Sequence, residues 1–151
     1  MLHPATVHFA MILPLVASLL GIYHLIKQEK ITSNLSLVSL IGATTAIVVV
    51  WATGNQAGTE IYNFLSTHGQ EELKEHKVLG FYIMIASIII LVINLLSRFI
   101  ANHKVEILSI IGIFLLSVTI FLQGKHGGEI VYKYGQPFQV SSINDTITEL
   151  K

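Results

Sequence analysis

The sequence predicts an all-α integral membrane protein, a four-helix bundle in up-down order with a short extended C-terminal segment, and three observations carry that expectation. Hydrophobic residues make up 52% of the chain and charged ones only 12%, with a mean hydropathy of +0.68, far from the balance of a soluble domain. The charges are also unevenly spread: residues 1–26, 31–59, 78–97 and 107–124 contain no Asp, Glu, Lys or Arg. A helix needs about 20 apolar residues to cross a hydrocarbon core roughly 30 Å thick, so each stretch is long enough or nearly so. Finally, Ile83–Ile93 and Ile107–Leu122 are apolar on every side, where a soluble bundle would give each helix a polar face.

Taken in order, the first helix is expected over about 4–26, because Pro4 suits a first helical position. Pro14 inside it predicts a kink. The second helix is expected over 33–53, ending at the glycine-flanked Gly54-Asn55-Gln56-Ala57-Gly58. The third spans about 70–100, with Glu71, Glu72 and Glu75 near its N-terminus, where the helix dipole favours them. After a short basic loop the fourth covers 105–123. Glycine punctuation from Gly124 to Gly135 then reads as extended chain. Residues 1–135 thus form the membrane domain and 136–151 a polar tail.

Several functional classes are excluded. The chain has no cysteine, so it supplies no disulfide, thiolate metal site or iron-sulfur ligand. A formal net charge of zero gives no footprint for nucleic acid. Phosphate loops, nucleophile elbows and metalloprotease His-Glu pairs are missing. A cleaved signal peptide does not fit the first stretch, because no Lys or Arg precedes it.

Lys27, Lys30, Arg98 and Lys104 are densest in the first and third loops, which places that side in the cytoplasm and both termini outside. This topology sorts the seven histidines: His24 and His103 fall on the inner side, and His3, His8, His68, His76 and His126 on the outer. The convergence of five imidazoles on one face is the main functional signal. On the third helix His76, Gly80, Ser87 and Asn94 share one line, and on the fourth Ser109, Gly112, Leu116, Thr119 and Gln123 do. Helices in lipid turn small and polar residues toward one another, so both lines should face the interior.

Three readings follow. In the first, His8 and His76 on diagonal helices are axial ligands of a b-type haem near the outer face, with His126 or His68 as an alternative second ligand and Gly80 and Gln123 around it. That would make the chain an electron-transfer protein or the redox subunit of a membrane oxidoreductase, with a redox partner protein or quinone. In the second, His8, His76, His126 and His68 hold zinc or copper, imidazole suiting both. In the third, the histidines are interfacial and the chain is a scaffold subunit or homo-oligomer in the bilayer. Under any of them His3, Asn55 and Gln56 are candidates to orient a ligand from behind. His3 and His8, about 140° apart on a helix, cannot share one inward face, and His8 is the inward candidate. His24 and His103 are expected at the interface, with no polar group joining them.

The opening His3-Pro4 with Val7-His8-Phe9, the Ala52-Thr53-Gly54 exit of the second helix, His76, and the closing Gly127-Gly128-Glu129-Ile130-Val131-Tyr132 with Gly135 resemble one family over residues 2–135. It comprises the bacterial membrane proteins catalogued as domain of unknown function 2231. The resemblance implies four membrane helices, a bacterial inner membrane and a cytochrome-like character, with no settled activity to transfer. Ala10 stands where many members have proline, and Tyr134 where many have histidine.

Overall fold

The computed structural model describes residues 3–134, which form four long helices: α1 (His3–Lys27), α2 (Lys30–Ile61), α3 (Thr67–Ile100) and α4 (His103–Tyr134). A single 3₁₀ turn, Tyr62–Phe64, separates α2 from α3. Each helix packs on its neighbours in sequence and α4 closes the ring against α1, so α1 and α3 lie on the diagonal.

The helices are longer than the sequence suggests. Residues 54–61 continue α2, and residues 124–134, expected as extended chain, continue α4. The glycines that looked like punctuation are contact points instead. A Cβ at Gly54 would fall 2.8 Å from the His3 ring, at Gly127 2.9 Å from the His76 ring, and at Gly124 3.3 Å from Met11. They allow close approach of neighbouring side chains rather than a break in the helix. The expected tail at 136–151 lies outside the described residues.

At 1.5 Å per residue the 32 residues of α4 span about 48 Å, well beyond a hydrocarbon core of about 30 Å. Four helices are long and apolar enough to cross a membrane. The surface agrees: Ile26, Val38, Phe99, Leu115 and Leu122 are exposed, while Ser18, Ser36, Ser87, Ser109 and Ser117 are buried. Large apolar groups outside and small hydroxyls inside is the arrangement expected when lipid is the solvent. These serine hydroxyls are bonded: Ser87 donates to the Met84 carbonyl at 2.7 Å, and Ser36 donates across to the Ala17 carbonyl of α1 at 2.7 Å. Ser87 and Asn94 face inward as their spacing predicts. Pro14 is buried within α1.

Tight caps close the chain reversals at one end. Gln28 and Ala101 adopt left-handed backbone conformations with φ of 56° and 52°. Asn102 then caps α4, its side-chain oxygen accepting from the Lys104 amide at 3.0 Å. At the other end Ser66 caps α3 by accepting from the Gly69 amide at 3.2 Å. We call these the Arg98 end and the His3 end.

A histidine-walled cavity at one end of the bundle

Beyond the core cluster of Ala10, Ile47, Ile83, Met84, Leu116 and Ile120, the helices part at the His3 end around a cavity of about 480 Å³. Its wall is mainly apolar and draws on all four helices. Val7 and Met11 come from α1, Val50, Trp51 and Ile61 from α2, Leu73 and Gly80 from α3, and Ile130 and Val131 from α4. Polar atoms enter from His3, His8, Asn55, His76, Lys77, Gln123 and Tyr132. The exposed members of the wall, His8 on α1 with Val131 and Tyr132 on α4, mark its opening.

His76 is the centre of the site. Its ring lies against Gly127, and the Gln123 amide nitrogen donates to its backbone carbonyl at 2.8 Å. Among the described residues, the His76 Nδ1 and the Gln123 Oε1 are buried with no hydrogen-bond partner. The only other such atom is the Thr44 hydroxyl. An unpaired buried polar atom costs about 1–3 kcal/mol, so two on facing helices at one cavity are a notable concentration.

The remaining candidates are distributed unevenly. Gly80 and Asn55 line the cavity, and the Asn55 carbonyl accepts from Lys77 Nζ at 3.2 Å. Gln56 is exposed and turned toward Glu60. His126 touches His76 edge-on, with ring centroids 5.7 Å apart, but its Nε2 is paired with Glu72 at 2.7 Å. His68 is exposed, between Glu71 and Glu72. Among the described residues no three His, Asp or Glu side chains are disposed to hold a metal ion.

The two N-terminal histidines exchange the places expected of them. His8 has an exposed side chain at the rim, whereas His3 is half-buried, its Nδ1 3.3 Å from the Thr53 hydroxyl and its ring on Gly54. Burial pushes the His3 imidazole below its ordinary range, a shift opposed by a hydrogen bond with the Val50 backbone. The two residues do sit on different faces, as their 140° separation requires. Which face is inward is set by the buried Ala10, Pro14 and Ala17, offset from His3 by 7, 11 and 14 residues and thus within about 40° of it.

Sequence reasoning missed Lys77 and Glu106. Lys77 is the last charge before the apolar run of α3, and it reaches across to α2. Glu106 joins the two histidines expected to stand apart. At the Arg98 end, His24 Nε2 meets one Glu106 oxygen at 3.1 Å and His103 Nδ1 the other at 3.3 Å. His24 Nδ1 also lies 2.9 Å from the Glu29 carbonyl. Arg98 donates to Ser33, Asn34 and Asn94, and Asn94 donates to Ser109 at 2.9 Å.

Fold and site together define a class, a four-span helical membrane protein with a histidine-walled cavity at one end. The family model described as a predicted membrane protein, DUF2231, matches residues 1–138, and the chain belongs to that family. Comparison with curated proteins and with solved structures gives no match.

Proposed function

We propose that the chain is a membrane protein that holds a small, largely apolar ligand in the cavity at the His3 end. The apolar chamber of about 480 Å³ lined by His76 and Gln123, each with a buried, unpartnered polar atom, carries this reading. Ligand pockets combine such a volume and wall with a few convergent polar groups that fix orientation. The Lys and Arg density at the Arg98 end, with Lys27, Lys30, Arg98 and Lys104, supports a cytoplasmic position for that end and an outward-facing cavity. The test is denaturing extraction and mass spectrometry of protein purified from its membrane. A small molecule near one per chain supports the reading, and extracts indistinguishable from an unrelated membrane protein contradict it.

A b-type haem is the second reading, favoured by the half-buried His76 imidazole, whose Nδ1 is buried without a partner. His76 and, from the diagonal helix, His3 or His8 are the residues that would hold it, since His126 is held by Glu72. When bound, haem would supply one-electron transfer, and His76, Gln123 and the apolar wall would bind it and exclude water. Protein from haem-replete cells should then show a b-type alpha band in its reduced-minus-oxidised spectrum. A colourless preparation rejects haem, and elemental analysis for zinc and copper then tests a histidine-bound metal.

A further inference from the structure

The cavity has one sign of charge. Among the described residues that wall it there is no Asp or Glu, and the ionisable groups are His3, His8, His76, Lys77 and Tyr132. Glu72, linked to His76 through His126, is engaged by His126 and His68. Lys77 is half-buried, and its stem lies so close over Gly58 that a Cβ there would fall 2.5 Å from its Cε. Its ammonium group donates to the Asn55 carbonyl and forms no ion pair among the described residues. A half-buried cation whose hydrogen bond among the described residues goes to a carbonyl can accommodate an anion, because charge away from water is stable when it is paired.

Its position adds the rest of the ligand. Lys77 and His76 immediately precede the charge-free run 78–97, so they stand where the apolar part of α3 meets the polar interface. Below them the floor is Ala10, Ile47, Ile83 and Ile120, all buried and all hydrocarbon. The cavity therefore pairs a cationic level with an apolar depth.

Resting on the reading of this cavity as a ligand site, we infer that its ligand is a monoanionic amphiphile, a single-chain carboxylate of the fatty-acid type drawn from the bilayer. The head lies among Lys77, His76 and His3, and the chain lies on the apolar floor. A phosphate monoester, carrying about −1.5 to −2 charges, exceeds the single fixed cation, and an uncharged amphiphile leaves that cation unpaired.

Trp51, the chain's one tryptophan, lines the cavity and serves as the reporter. The full chain in phosphatidylcholine nanodiscs is titrated with a dansyl-labelled undecanoic acid and, separately, its methyl ester, reading energy transfer from Trp51. Saturable transfer is expected for the acid, with the ester about tenfold weaker, the scale of one charge-assisted hydrogen bond. Lys77→Met, which keeps the stem over Gly58, should weaken the acid about tenfold and leave the ester unchanged, and Lys77→Arg should restore the acid. If acid and ester bind alike in both the wild type and Lys77→Met, the anion inference is overturned while the cavity reading stands. Saturable transfer from neither probe, or equal transfer in a folded Gly80→Leu variant whose cavity is filled, overturns the cavity reading itself.

Discussion

Two histidines at opposite ends of the bundle, His24 and His76, are used in opposite ways, although Glu72 serves His68 and His126 at the His3 end much as Glu106 serves its pair. At the Arg98 end, His24 has a partner for each ring nitrogen, and Glu106 serves His24 and His103 at once. Arg98 adds bonds that tie α3 to the start of α2. At the His3 end, the Nδ1 of half-buried His76 is buried and unpaired, beside a cavity that has no acid in its described wall. A closed polar network stabilises a chain reversal, whereas an open one leaves interaction energy for something else. On the proposed reading, the difference separates a structural end from a binding end.

Substitutions should sharpen that contrast. The largest effect belongs to Arg98→Ala, which removes three bonds and leaves the Ser33 carbonyl and Asn94 side chain short of a donor. We expect a loss of about 2–4 kcal/mol in reversible unfolding from mixed micelles. His24→Leu, stripping one oxygen of Glu106 of its partner, should cost about 1–3 kcal/mol in the same assay. His76→Leu should cost little or even stabilise, since an apolar group replaces an unsatisfied one, while abolishing ligand binding. If His76→Leu destabilised as much as His24→Leu, the distinction between the ends would fail.

A smaller effect tests the glycine contacts. Gly127→Ala and Gly54→Ala each put a methyl group within 3 Å of an imidazole and should cost about 1–3 kcal/mol, the usual range for overpacking. His76→Ala should relieve the first penalty and His3→Ala the second, a coupling that a double-mutant cycle reads directly.

The smallest effect concerns pH. His3 titrates below its ordinary value in the folded protein, so the unfolded chain takes up its proton first. Stability from this residue is complete above about pH 6.5 and declines as pH falls from there toward the lowered folded value. The melting temperature should drop over that interval, and His3→Phe should flatten the drop.

The fold was legible because lipid imposes few alternatives: charge-free stretches of spanning length mark the helices, and Ser87, Asn94 and Ser109 mark their inner faces. The convergence of histidines was legible through the same topology. Their pairings were not, because these depend on how far the helices run past the membrane. Glycine reads as a break in a polar sequence, yet at 54, 124 and 127 it is the gap into which a neighbour's side chain fits. The inward phase of α1 was present in Ala10, Pro14 and Ala17, and would have placed His3 rather than His8 against α2. Lys77 left no periodic mark; only its reach across to Asn55 reveals it.

The most direct test of the central claim compares what three forms of the protein carry out of the membrane. Wild type, His24→Leu and Gly80→Leu are purified in parallel, checked for helicity and homogeneity, denatured, extracted and analysed by mass spectrometry. Gly80 has room for a side chain, since a Cβ there would meet only the Gln123 amide at 3.6 Å. A ligand present in wild type and His24→Leu but lost from Gly80→Leu is the result expected of a binding end and a structural end. Identical extracts from all three would contradict it.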